Sequence, residues 1–139
     1  MMPDSRDPKS QLMQKIEEVF IQLKNISLAE KKIALSTIHG IEFILLEDII
    51  RLESQNNRTM FWLNDNTKKI GSGSIGHFDK TLNEYYFFRI HQSHIINLVH
   101  VKSYSKTDGG SVTMSDGITM DVSRRKRKDL MKRLNELIC

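Results

Sequence analysis

The chain has 139 residues, 39% hydrophobic and 27% charged, with seven Gly, two Pro and one Cys; that length fits one domain with a short appendage and can bury a core without disulfides. The single cysteine, Cys139, excludes an internal disulfide framework and a cysteine-based zinc site. Twenty-one Lys and Arg against 17 Asp and Glu give a formal charge of +4, and residues 124–133 hold seven of those cations against one acid, a focused basicity that points to a polyanionic partner.

Residues 1–8 read as a disordered lead, and their polar character excludes a secretory leader, which predicts a cytoplasmic protein. Leu12, Ile16, Val19, Phe20, Leu23 and Ile26 then recur at helical spacing, with Lys15, Glu17, Glu18, Gln22 and Lys24 between them. The pattern predicts an amphipathic helix over Gln11–Ile26, about four turns long. Its apolar stripe needs a cover: the domain that follows, a second copy, or a module outside this chain. Ala29–Lys32 is a polar joint. No apolar run approaches the roughly 18–20 residues needed to span a bilayer, so no membrane partner is expected.

From Ile33 the period changes to two. Ile33, Leu35 and Thr37, then Ile41, Phe43 and Leu45, alternate around a turn at His39-Gly40. Strands are predicted at 49–54 and 58–63 around the turn-forming Gln55-Asn56-Asn57, and Asn64-Asp65-Asn66 turns the chain onto 68–72. Phe61 and Trp62 are adjacent on a strand, so one points inward and one outward. Ile75, Phe78 and Leu82 have helical spacing behind Ser72 or Ser74 as N-cap. Further strands follow at 85–90, 95–98, 101–106, 111–114 and 118–122, with turns at Asp108-Gly109-Gly110 and Asp116-Gly117. A last helix is predicted over 124–137 with Ser123 as N-cap. The fold class is therefore mainly β, in antiparallel strands with a short internal helix and a helix at each end. Residues 1–30 form the lead and a linker or dimerisation helix, and residues 31–139 form the domain.

Two segments concentrate chemistry. Five consecutive cations, Arg124 to Lys128, open the predicted last helix, the end where the helix dipole is positive and each misplaced cation costs roughly 0.3–1 kcal/mol. A phosphate partner reverses that sign, because cations, free N–H groups and dipole then favour the same ligand. Residues 87–97 gather Arg89, His91, Gln92, Ser93, His94 and Asn97. Arg89, Gln92 and Ser93 supply hydrogen-bonding forks for base edges and backbone, whereas His91 and Asn97 fit buried, hydrogen-bonded roles. His91, His94 and His100 suggest a metal site only superficially. His91 and His94 are three apart, which on one strand places them on opposite faces, and no carboxylate pair completes a site, so no metal or cofactor is expected. The glycine-rich stretch 71–76 lacks the Lys-Ser/Thr of a phosphate loop. Asp79, Glu84 and Asp116 are scattered and no nucleophile elbow is present, so no enzyme site is expected.

With those residues in view, Ile33–Leu137 resembles the LytTR DNA-binding domain, the output module of many bacterial response regulators. The matching segments are Gly40–Ile44 with Leu46–Glu53, then Phe87–Leu98, then Val122–Arg125 leading into the last helix. The resemblance implies an elongated set of antiparallel strands in small sheets. It also implies loops that enter successive major grooves of double-stranded DNA and grip the backbone between them. Carried onto this sequence, it makes Asn57 and Arg58 groove or phosphate contacts. It places Gln92 at a base-reading position with Ser93 beside it on the backbone, Arg125 as a base reader, and Arg124 and Lys128 near phosphates. Asn57 stands where one branch of the family has His, and Gln92 where many members have Arg or Lys; Gln suits bidentate pairing with adenine. The target sequence therefore does not transfer.

The expected function is sequence-specific DNA binding in transcription regulation, on repeated half-sites as a homodimer, in a two-component response regulator or a stand-alone regulator. Many members carry an N-terminal receiver domain, which about 30 residues cannot supply, and Gln11–Ile26 would then be the last helix or linker of such a regulator. The competing class is a protein- or anionic-surface interaction module that binds polyanions without sequence preference.

Overall fold

The computed structural model describes residues 8–29 and 31–137, so of the lead expected at residues 1–8 only Pro8 is described, where it opens a helix instead, and the terminal Cys139 lies outside the described residues. Helix α1 runs Pro8–Ala29, three residues beyond the expected span at each end. Pro8 suits the first helical position, where a missing N–H costs nothing and φ is already set.

Strands β1 (Lys32–Thr37) and β2 (Gly40–Leu45) pair as an antiparallel hairpin. Ile33, Leu35 and Ile44 face inward, and Leu35 lies so close to Gly71 that a Cβ there would sit 3.3 Å from Leu35 Cδ2. The expected alternation of Ile41 and Phe43 is present, but it faces solvent: they are 66% and 68% exposed. Register decides this, because Ile41 and Phe43 stand opposite Ser36 and Ala34, on the face away from Ile33 and Leu35.

The main sheet has five antiparallel strands in the order β5-β4-β3-β7-β6. They are β3 (Ile49–Gln55), β4 (Arg58–Leu63), β5 (Lys68–Ser72), β6 (Phe87–His91) and β7 (His94–Asn97). Helix α2 (Ile75–Leu82) connects β5 to β6, and of the two candidate caps Ser74 serves, its Oγ accepting from His77 N at 3.2 Å. A three-stranded sheet follows in the order β8-β9-β10, from β8 (Val101–Ser105), β9 (Ser111–Met114) and β10 (Thr119–Asp121), and helix α3 (Arg127–Glu136) ends the described chain.

Both faces of the main sheet are buried. One carries Ile49, Leu52, Phe61 and Ile95 against the β1–β2 hairpin and α2 through Leu35, Ile44, Phe78 and Leu82. The other carries Ile50, Ile90 and Ile96 against Val112, Met114, Met120 and Leu130. That is why β3 and β7 read as apolar pairs rather than strict alternation: Ile49 and Ile50, or Ile95 and Ile96, supply one residue to each core. Phe61 is fully buried and Trp62 half-buried, as their adjacency predicts.

Two polar devices tie the layers. Arg51, 5% exposed, donates from Nε to Asp116 Oδ2 at 3.1 Å in the β9–β10 turn and stacks 4.4 Å from the Trp62 ring centroid. Asn97, 2% exposed, donates to the carbonyls of Ile49 at 2.9 Å and Leu46 at 3.3 Å and accepts from Val99 N at 3.2 Å. Replacing it by Leu strands these buried groups. We expect Asn97→Leu to lower unfolding free energy by about 2–4 kcal/mol in urea titrations, since each buried group left without its partner costs about 1–3 kcal/mol.

Candidate nucleic-acid interface

The three segments singled out in the sequence meet along one end of the main sheet. The β3–β4 turn, Asn56-Asn57, closes between the partners Gln55 and Arg58. Asn56 adopts a left-handed backbone (φ 57°), a conformation Asn tolerates better than most residues. The β6–β7 turn, Gln92-Ser93, closes between the partners His91 and His94. Because β3 and β7 are neighbours, with Glu53 opposite His94, the two turns lie side by side, and Ser54 N donates to Ser93 O at 2.8 Å between them. The third segment joins through β6: Ser123 N donates to Ile90 O at 2.8 Å, so Arg124 starts one residue beyond a point fixed beside His91.

The last basic segment differs from expectation. Arg124–Lys126 is a 3-10 turn, and the α-helix begins only at Arg127. Ser123 makes no side-chain cap; its backbone N–H is committed to β6 instead. The cations therefore divide. Arg124, Arg125 and Lys128 are exposed. Arg127 folds back, donating from Nε to Val122 O at 3.3 Å, with its guanidinium against the Gly109-Gly110 turn. Both glycines have positive φ (89° and 110°), which strains any other residue there, and a Cβ at Gly109 would stand 2.7 Å from Arg127 Nη2 and displace that guanidinium.

The β6–β7 turn is held from two sides. Arg89 Nη2 donates to Gln92 O at 2.7 Å while Nη1 stands 3.8 Å from Asp79 Oδ2 on α2. Ser93 N donates to His91 Nδ1 at 3.1 Å. The Gln92 side chain is exposed, Ser93 and Arg89 are half-buried, and Asn57 and Arg58 are exposed. Arg58 lines both a shallow cleft with Gln55, Asn56 and Asn57 and a neighbouring one with His39 and Lys68. Asp79, which in the sequence looks like an isolated acid, is thus an anchor for this turn; nothing local in the sequence marks it.

The histidines also differ from expectation. His91 is exposed rather than buried, and His91 and His94 sit on two strands across a two-residue turn, so their rings approach to 5.7 Å between centroids. His100 lies apart, on the 3-10 turn Leu98–His100, against Glu47 O. Among the described residues no three His, Cys, Asp or Glu side chains are grouped to hold a metal ion.

The arrangement is an edge of three turns presenting amide, hydroxyl and guanidinium groups, suited to polyanions and base edges. The LytTr DNA-binding domain family model matches residues 39–135. The chain belongs to the LytTR DNA-binding domain family. A solved structure from Bacillus cereus, described as the LytTr DNA-binding domain of a methyl-accepting/DNA response regulator, is similar with a TM-score of 0.64 at 22% identity, covering 74% of this chain and 95% of that one. No protein with a curated description matches. The mainly β LytTR fold in small antiparallel sheets is therefore present, and the family's role is DNA binding for regulation, not catalysis. No helix among the described residues is long and apolar enough to cross a membrane.

One titration follows from the LytTR turn. Burial holds the His94 imidazole below its ordinary value near 6.5, the charges of His91 and Arg51 push the same way, and Glu53 opposes them. Its Nδ1 is buried without a partner. Folding thus favours neutral His94, so the unfolded chain binds the proton more readily. This contribution to stability is full above pH 6.5 and is lost as pH falls through the lower folded value. We expect urea midpoints to decline between neutral and mildly acidic pH, and the decline to be shallower in His94→Gln.

Proposed function

We propose that this LytTR domain binds double-stranded DNA sequence-specifically as the output domain of a transcription regulator, two chains occupying repeated half-sites. The observation that carries the reading is the placement of Asn57, Gln92 and Arg125 on three turns stitched to one sheet end, with Arg58, Arg124 and Lys128 exposed on the same turns or just beyond them. In this reading Gln92, Arg125 and Asn57 address base edges in the major groove, and Arg58, Arg124 and Lys128 hold phosphates, with Ser93 on the backbone. Arg89 acts through the turn it holds, since one guanidinium nitrogen is bonded to Gln92 O and another faces Asp79. The similarity to a domain described as part of a response regulator supports a receiver domain or other input module upstream of α1. Residues 1–30 are then a linker to that module, and 31–139 the DNA-binding unit.

Selection from a random duplex library at near-physiological salt tests this reading. A short repeated motif should emerge, and Arg125→Ala should weaken binding to it by about 1–3 kcal/mol while relaxing preference at one base pair. Lys128→Ala should weaken all sequences alike and lower the salt slope by about one unit. An unenriched pool, with binding that vanishes as salt rises, would leave a generic polyanion surface.

The role of Arg89 has its own test. Arg89→Ala and Gln92→Ala should each reduce specific affinity, and the double variant should lose little more than Arg89→Ala alone, because contacting groups that share one turn are not additive. Additive losses would show that Arg89 contacts DNA by itself.

A further inference from the structure

A second basic surface adjoins the edge of three turns. Strand β1 lies against β5 through Leu35 and Gly71. Two residues further on, Thr37 and the β1–β2 turn at Ile38-His39 form one wall of a cleft of about 600 Å³. The other wall is β5 from Lys68 to Ser72, and Ser72 is the partner of Arg58 in β4. Arg58 lines this cleft and also the shallow one beside Asn56 and Asn57. The surface is therefore continuous from the β3–β4 turn to the hairpin turn.

Charge says what fits there. Three cations, Arg58, Lys68 and Lys69, line the cleft with a single carboxylate, Glu42. Glu42 Oε1 accepts from Lys69 Nζ at 3.2 Å, so those two neutralise each other. Arg58 and Lys68 are exposed, and among the described residues neither has an acidic partner. Lys68 Nζ stands 5.4 Å from the Trp62 ring centroid, which holds the ammonium in place without neutralising it. Lys68 and Ser72 are four residues apart on β5, about 13 Å at the rise of an extended strand. Positive charge spread over that length suits a polymer of phosphates, whereas a single free anion reaches one end only. The opposite wall is already ordered. Thr37 Oγ1 donates to Gly40 O and accepts from His39 N, both at 3.2 Å, so a partner need not fix the hairpin turn. The exposed His39 ring adds a hydrogen-bonding group at the mouth.

We infer that this cleft is a fourth DNA contact, in which Lys68 and His39 hold backbone phosphates flanking the bases met by the β3–β4 turn. The inference rests on the DNA-binding reading and extends its footprint beyond the three turns. Fluorescence anisotropy of the full chain on two duplexes tests it, one ending at the selected motif and one carrying about 20 Å more DNA on each side, roughly six base pairs. The chain should bind the longer duplex roughly three- to tenfold more tightly, with a salt slope steeper by about one unit. Lys68→Gln with His39→Ala should abolish both gains, while affinity for the short duplex, the preferred motif and the urea midpoint stay unchanged. Lys68→Arg alone should keep them. Equal affinity of the unaltered chain for both duplexes, with the motif still selected, would overturn the inference and leave the DNA-binding reading in place. So would a gain that survives the double variant, or a loss that is equal on both duplexes and so assigns these side chains to the motif itself. If no motif is selected at all, the DNA-binding reading fails and this contact fails with it.

Discussion

Strand β3 has almost no water on either face along its first four residues, and the rest of the molecule is arranged around that fact. Ile49 and Leu52 enter one core, Ile50 enters the other, and Arg51 is accommodated only because Asp116 and the Trp62 ring take its charge. A one-residue slip of this strand would carry Arg51 into a core position now held by Ile50 or Leu52 and away from Asp116 and Trp62. Its neighbours β4 and β7 are therefore held in register. So are the two turns at its end, which the bond from Ser54 to Ser93 locks together.

The same economy governs the basic segment. A run of five cations looks uniform in sequence, yet the fold uses Arg127 to close the Gly109-Gly110 turn on the Val122 carbonyl and leaves Arg124, Arg125 and Lys128 to solvent. The 3-10 turn at Arg124–Lys126 follows from the commitment of Ser123 N to β6, which fixes the backbone direction before the helix can begin. Positive charge is thus carried on a rigid ledge rather than on a fraying helix end, and a rigid ledge costs a polyanionic partner less to order.

Much of the fold was legible from local pattern. Each strand and the internal helix follow from periods of two or 3.6 and from turn residues such as Asn56-Asn57, Asn64–Asn66 and Asp116-Gly117. The candidate site was legible as three segments, through residue chemistry and through the LytTR resemblance. What was not legible were the contacts between distant residues: Asp79 facing Arg89, His91 accepting from Ser93, and the rings of His91 and His94 brought together across a turn that a single-strand reading missed. Ile41 and Phe43 show the same gap, since alternation predicts that a strand has two faces but not which one meets the core.

By itself, then, the sequence determined the elements, their turns, the focus of basic charge and the apolar stripe of α1, because backbone propensity, side-chain periodicity and turn chemistry act over a few residues. Only the tertiary structure decided which faces are buried, which cation turns inward, and that residues 57, 92 and 125 share one end of a sheet. Those outcomes rest on backbone bonds such as Ser54 to Ser93 and Ser123 to Ile90. Such bonds form only when both cores of the main sheet are packed, a constraint on the whole chain that no window of neighbouring residues contains.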